Sequence, residues 1–288
     1  MHSSMRTIFS TTTIWLISLL SAFAEGGEAH GLPANAERIW AGLPITNSMI
    51  MTWISVGLIV LFCRAATTKM ALVPAGVQNF CEWVVESLYD FLSSILGSYL
   101  VKKTFWFFAS IFLFILVNNL IGLFPGVGTI GHYDEHGRLI GFLRGGNADL
   151  NMTLAMSSVF FVLWTYWALK ENGIKGFLAH IFAPKGQFRG FMLVFMVAIS
   201  LIVGLLEIVS ICVRPVALTF RLFGNIYGGE QTMEKLMELV PKQLAFLPAL
   251  PFYFMELMVA FVQALVFMLL TAVFLRLICE HAGEEEHH

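Results

Sequence analysis

Residues 207–230 read Glu207-Ile-Val-Ser-Ile-Cys-Val-Arg214-Pro215-Val-Ala-Leu-Thr-Phe-Arg221-Leu-Phe-Gly224-Asn225-Ile-Tyr-Gly-Gly-Glu230. The stretch lies in the middle of an apolar run of about 44 residues, from about 190 to 233, which as a helix reaches some 66 Å, roughly twice the hydrocarbon thickness of a bilayer. Such a segment must lie strongly tilted or break. Pro215 and Gly224 are the candidate bend points, because proline removes a backbone bond and glycine tolerates distortion. Yet the run carries two arginines, an asparagine and two glutamates. An arginine at the bilayer centre costs about 3 kcal/mol on insertion scales, so these residues are candidate functional groups, Arg221 first among them.

Outward from this stretch the chain keeps the same character. It has 288 residues, of which 58% are hydrophobic and only 12% charged, so it reads as an integral membrane protein and not as a soluble domain. The formal net charge of −2 gives no basic field for nucleic acid. The chain also lacks a zinc-spaced Cys/His set, a Gly-rich phosphate loop and a nucleophile elbow, and no cofactor is expected. Cys63, Cys81, Cys212 and Cys279 lie far apart in or beside apolar runs and read as buried small hydrophobes.

Arg6, an apolar run from Ile8 to Phe23 and the Ala22-Phe23-Ala24 site have the order of a secretory signal peptide. Residues 1–24 are therefore expected to be removed, 25–45 to form an outside N-terminal segment, and 46–288 to form the membrane domain. Crossings are expected at about 47–65, 104–124, 150–169, 190–233 and 246–278. Between the first two, Glu82, Glu86 and Asp90 recur every four residues opposite Val84, Val85, Leu88, Phe91 and Leu92, the pattern of an amphipathic helix over 76–100. The expected fold is thus an all-α polytopic membrane protein with about five transmembrane helices plus one amphipathic helix, the last two crossings long and strongly tilted. His132 and His136 read as residues of a Gly-rich polar loop, not as metal ligands. Lys and Arg gather after the first crossing (Arg64, Lys69), before the second (Lys102, Lys103) and after the third (Lys170, Lys175, Lys185, Arg189). By the positive-inside rule the mature N-terminus is outside and the C-terminus cytoplasmic.

Spacing then sorts the polar residues. Glu207, Arg214 and Arg221 are seven apart and Asn225 is four further on, so all four fall on nearly one helical face. Glu256 and Gln263 on the last helix are also seven apart. The fourth crossing runs inside to outside and the fifth returns. Glu207 and Arg214 therefore lie toward the inside, Arg221 and Gln263 in the middle, Asn225 next, and Glu230 with Glu256 toward the outside. Arginine does not deprotonate in proteins, so Arg221 attracts a carboxylate and repels a cation without relaying the proton itself. Two desolvated carboxylates can pass protons, one holding a proton while the other is charged. The arrangement reads as two half-channels on 190–278 insulated by Arg221. Mutual pairing that merely holds the helices together is the bland alternative.

Arg214-Pro-Val-Ala-Leu-Thr-Phe-Arg221-Leu-Phe-Gly-Asn225-Ile-Tyr-Gly-Gly-Glu230 resembles the signature of subunit a of F-type ATP synthases around its essential arginine. Asn119-Leu-Ile-Gly-Leu-Phe-Pro125, Ala148-Asp-Leu-Asn151-Met-Thr153 and Gln263-Ala-Leu-Val-Phe-Met are similar to further family segments, in family order over roughly residues 45–288. The resemblance implies a non-catalytic, ion-translocating stator subunit of a multi-pass assembly in the inner (plasma) membrane. Its partners would be the c-ring subunits, the peripheral stalk b subunits and the remaining ATP synthase subunits, in membrane lipid. It further implies that Arg221 faces the ring's ion-binding carboxylate, that Glu230, Asn225, Glu256 and Gln263 line the outer access path, and that Glu207 lies toward the inner one. Many members carry histidine where this chain has Glu256, so the outer path here has two carboxylates. The other reading is a stand-alone ion-coupled transporter with Glu230, Arg221 and Glu256 as a substrate site, although no internal repeat supports it.

Overall fold

The computed structural model describes residues 36–39, 45–68, 70–124, 127, 131–133, 139–182, 191–239, 241, 244 and 246–280. The expected signal peptide, most of the outside segment, His136 and the acidic tail lie outside these residues. Five helices are long and apolar enough to cross a membrane: α1 (Asn47–Thr67), α2 (Val77–Gly122), α3 (Leu150–Phe182), α4 (Phe191–Glu238) and α5 (Phe246–Glu280). A small antiparallel pair, β1 (Gly131–Tyr133) and β2 (Leu139–Gly141), and a single 3-10 turn at Gly146–Ala148 lead from α2 into α3. The chain is an all-α polytopic membrane protein. In hydrocarbon every backbone N–H and C=O must be satisfied within the segment, and the helix does this locally.

Two helices carry an internal break, and both breaks are glycines in the left-handed region. Gly97 (φ 77°, ψ 163°) divides α2, and Gly173 (φ 66°, ψ 169°) divides α3. A side chain there would strain the backbone, which glycine does not. The first limb of α2 is the expected amphipathic helix, shortened at its end from residue 100 to Gly97. Lys102 and Lys103, expected to mark a boundary, lie within the second limb. There Lys103 pairs with Glu171 of α3 at 2.7 Å and donates to Tyr99. The fourth crossing does not break: α4 is helical through both Pro215 and Gly224.

Helix α2 packs on α5, α3 on α4, α1 on α2, and α4 on α5. Their shared core is aromatic, with Phe107, Phe108, Phe160, Trp164, Trp167 and Phe267 buried together with Leu92, Ile115, Leu222 and Leu275. Lipid tails are as apolar as these side chains, so close packing and interhelical hydrogen bonds must hold the helices together. Three such bonds tie the C-terminal part of α5: Trp164 Nε1 donates to Phe274 O (3.0 Å), Asn172 Nδ2 to Ile278 O (2.9 Å) and Arg276 Nη1 to Ile95 O (2.8 Å). Between α3 and α4 the hydroxyls of Ser157 and Thr219 meet at 2.5 Å, both buried. The expectation for the cysteines needs correction. All four are free, but only Cys279 is buried, and Cys63 is exposed on α1.

Candidate functional site

Around Arg221 the helix α4 has two sides. Leu218, Thr219, Leu222, Phe223 and Ile226 are buried against α3 and α5, whereas Ala217, Phe220, Arg221, Gly224 and Asn225 are exposed. Arg221 thus stands on the outward side of an apolar helix, with no carboxylate paired to it among the described residues. One turn on, Asn225 Nδ2 donates to Gln263 Oε1 of α5 at 2.7 Å. Gln263 is 3% exposed, and its Nε2 has no hydrogen-bond partner among the described residues.

Two turns beyond Arg221, α4 presents bare backbone. A Cβ on Gly229 would lie 2.2 Å from Glu256 Oε1, so the carboxyl group of Glu256 rests directly on the glycine. Glu256 is 3% exposed and its Oε1 is likewise without a hydrogen-bond partner among the described residues. Buried polar atoms are nearly always satisfied, so two such orphans two turns apart on α5 stand out from the rest of the core. Glu230, next to Gly229, meets a group the sequence reading passed over: Arg144 Nε stands 3.5 Å from Glu230 Oε2. The guanidinium is buried and lies 5.9 Å from the centre of the Tyr227 ring.

The expected residues therefore fall into three places along α4. At the level of residues 229–230 lie the Glu230–Arg144 pair and, against Gly229, Glu256; Asn225 with Gln263 makes a second place. Toward the start of the helix, Arg214 lies with its guanidinium 4.7 Å from the Phe274 ring centre, with Glu207 as its half-buried electrostatic neighbour. Arg221 stands between the second and third. The shared face predicted for Glu207, Arg214, Arg221 and Asn225 is only partly kept. Arg214 lies against Phe274 of α5 while Arg221 is exposed, and the drift of about 20° per heptad on a straight helix is only a small part of that difference. His132, in β1, stacks on Phe142 at 5.8 Å.

The family profile described as ATP synthase A chain matches residues 49–276, which contain every one of these groups. The chain is 32% identical over 238 residues to ATP synthase subunit a of Solidesulfovibrio magneticus, covering 83% of this chain and 86% of that one. It is also 32% identical over 237 residues to ATP synthase subunit a of Citrifermentans bemidjiense, covering 82% and 89%. ATP synthase subunit a 3 of Pelobacter propionicus is 32% identical over 230 residues, covering 80% and 86%. The chain belongs to the ATP synthase subunit a family. As a subunit a it is a membrane component of the synthase, and the polar groups of α4 and α5 are the parts of it that its apolar fold does not explain.

Sequence reading also gave no role to the amides that hold the Arg144 loop in this subunit a, although Asn119 opens one of the family-like segments. Asn118, Asn119 and Asn147 are each at most 2% exposed and bond to one another across the 3-10 turn. Asn119 Nδ2 donates to Ala260 O of α5 at 3.2 Å. The only hint in the sequence is that Arg144 sits between Leu143 and two glycines, in a loop otherwise read as mixed and polar.

Proposed function

We propose that the chain is the ion-translocating stator subunit of a rotary F-type ATP synthase. It offers two offset half-channels to a ring of c subunits, with Arg221 as the barrier between them, and protons are the ion. The observation that carries this reading is Arg221 itself, a permanent cation on the outward side of an apolar helix, one turn from the Asn225–Gln263 bond and without a paired carboxylate among the described residues. A charge so expensive to hold in hydrocarbon calls for a partner brought by another subunit, and a moving ring supplies a carboxylate at that depth. Glu230, Glu256, Asn225 and Gln263 line the outer path, while Glu207 and Arg214 border the inner one. The mature N-terminus is outside, the C-terminus is cytoplasmic, and the b subunits of the peripheral stalk hold the chain still.

The energetics favour a ring over a single fixed site. One charge crossing 100 mV releases about 2.3 kcal/mol, so several ions must pass for each ATP. Arg221→Ala is expected to abolish ATP synthesis while the complex still assembles. ATP-driven proton pumping at the wild-type rate in that variant would overturn the reading.

A further inference from the structure

The loop entering α3 is folded inward, and one buried cation comes with it. Residues 144–149 are all buried. A Cβ on Gly146 would lie 2.6 Å from Asn118 Nδ2 and 2.8 Å from Thr52 Oγ1, and one on Gly145 would lie 3.3 Å from Glu230 Oε1. The backbone is therefore pressed against α1, α2 and α4 at once. Asn147 Nδ2 donates to Asn119 Oδ1 at 2.5 Å, and Ser48 Oγ donates to Asp149 Oδ2 at 2.8 Å, so the loop is fastened twice just after its glycines. Arg144 is fixed at the Glu230 carboxylate, beside the helical turn on which Glu256 rests.

We propose that Arg144 is the built-in counter-charge of the Glu230/Glu256 pair, so that the three groups together hold one exchangeable proton. The inference rests on the reading of these carboxylates as the outer access path. Its warrant is charge balance in a site with little water. Buried charges persist only when paired, and removing one partner of a buried pair is strongly destabilising. With both carboxylates ionised the trio carries one net negative charge; with one proton bound it is neutral. That proton is shared, and its loss or gain moves the site between these two states only. That count is of these three groups alone. Around them, among the described residues, Tyr227 lies under the guanidinium, the Asp149 carboxylate accepts from Ser48, α2 brings the amides Asn118 and Asn119, and α4 carries Lys235 further along. Arg144 is in this sense a positioning residue: it sets how many protons the pair holds and does not carry one.

The test uses the whole complex reconstituted in liposomes with the outer side of this subunit facing the lumen. ATP synthesis is measured against lumen pH, with the potassium diffusion potential adjusted to keep the total driving force constant. In Arg144→Gln, neutrality requires two protons, so the half-maximal lumen pH rises by at least about one unit. In Glu230→Gln, neutrality requires none, so it falls by a similar amount. Arg144→Lys keeps the charge and stays near the wild-type midpoint. Arg144→Gln combined with Glu230→Gln leaves one carboxyl and one proton and returns toward it. Shifts of the same sign in the two single variants overturn the inference, as does a double variant no closer to wild type than Arg144→Gln. If Arg144→Gln complexes do not assemble, the downward shift in Glu230→Gln and the behaviour of Arg144→Lys still decide. Wild-type synthesis in Glu230→Gln with an unmoved midpoint overturns the outer-path reading itself, a separate failure.

Discussion

Gly229→Ala separates the stability of this chain from the position of one carboxyl group. The new Cβ would lie 2.2 Å from Glu256 Oε1, 2.4 Å from its Cδ and 2.6 Å from Oε2, and these are its three nearest heavy atoms. These nearest obstacles all belong to the far end of one flexible side chain, which can yield before the backbone does. To reach ordinary contact near 3.4 Å, Oε1 must withdraw by about 1.2 Å, and the strain of rearranging the side chain, about 1–3 kcal/mol, is partly offset by roughly 1 kcal/mol gained from replacing a glycine within a helix. Assembly is therefore expected to survive, with a melting temperature close to wild type. Transport is not, because a reacting group displaced by about 1 Å loses up to about a hundredfold in rate. Inverted membrane vesicles report both: ATP-driven dye quenching for pumping, and the yield and thermal unfolding of the purified complex for stability. Gly57→Ala serves as the control, since its Cβ meets nothing within 4 Å. Pumping at the wild-type rate by intact Gly229→Ala complexes would refute the claim that the carboxyl works where it rests. Loss of the complex would refute the claim that it can yield.

Gly204→Ala is expected to behave in the opposite way. Its Cβ would meet Ile181 O at 2.7 Å as well as the Phe182 ring at 2.6 Å, so α3 and α4 must separate, and thermal unfolding should show a loss of about 1–3 kcal/mol. Asn147→Ala leaves the amides of Asn118 and Asn119 short of a partner in a buried site and should lower stability by about 1–3 kcal/mol, read from the same unfolding transition.

Hydropathy was enough to find the five long helices, because a membrane leaves a chain few ways to satisfy its backbone, and α4 and α5 follow directly from uninterrupted apolar runs. Helix ends are harder to read than crossings. Lys102 and Lys103 stand before the expected second crossing, but a charged side chain does not end a helix; it needs only a partner, and Lys103 finds one in Glu171. The true break is Gly97, where the backbone and not the side chain changes direction. Pro215 and Gly224 do not break the helix, for the converse reason: a proline removes one backbone bond, and the helix around it persists when neighbours hold it. Thr219, packed against Ser157, also donates to Pro215 O at 2.9 Å.

The candidate site was legible where its parts lie on regular helices. Seven-residue spacing brought together Glu256 and Gln263, and direction along the two helices matched Asn225 to Gln263 and Glu230 to the level of Glu256. Arg144 was illegible because it comes from a loop. No periodicity connects residue 144 to residue 230, and the fold that unites them is made by Asn147, Asn118 and two glycines, residue types that ordinarily signal exposed turns.

Because α4 is continuous, it also works as a ruler. Nine residues part Arg221 from Glu230, and at the rise of an α-helix that is about 13.5 Å, a gap no side chain can close by swinging. On the proposed path, an ion entering at the carboxylates must be handed along that interval by solvent or by the Asn225–Gln263 amides.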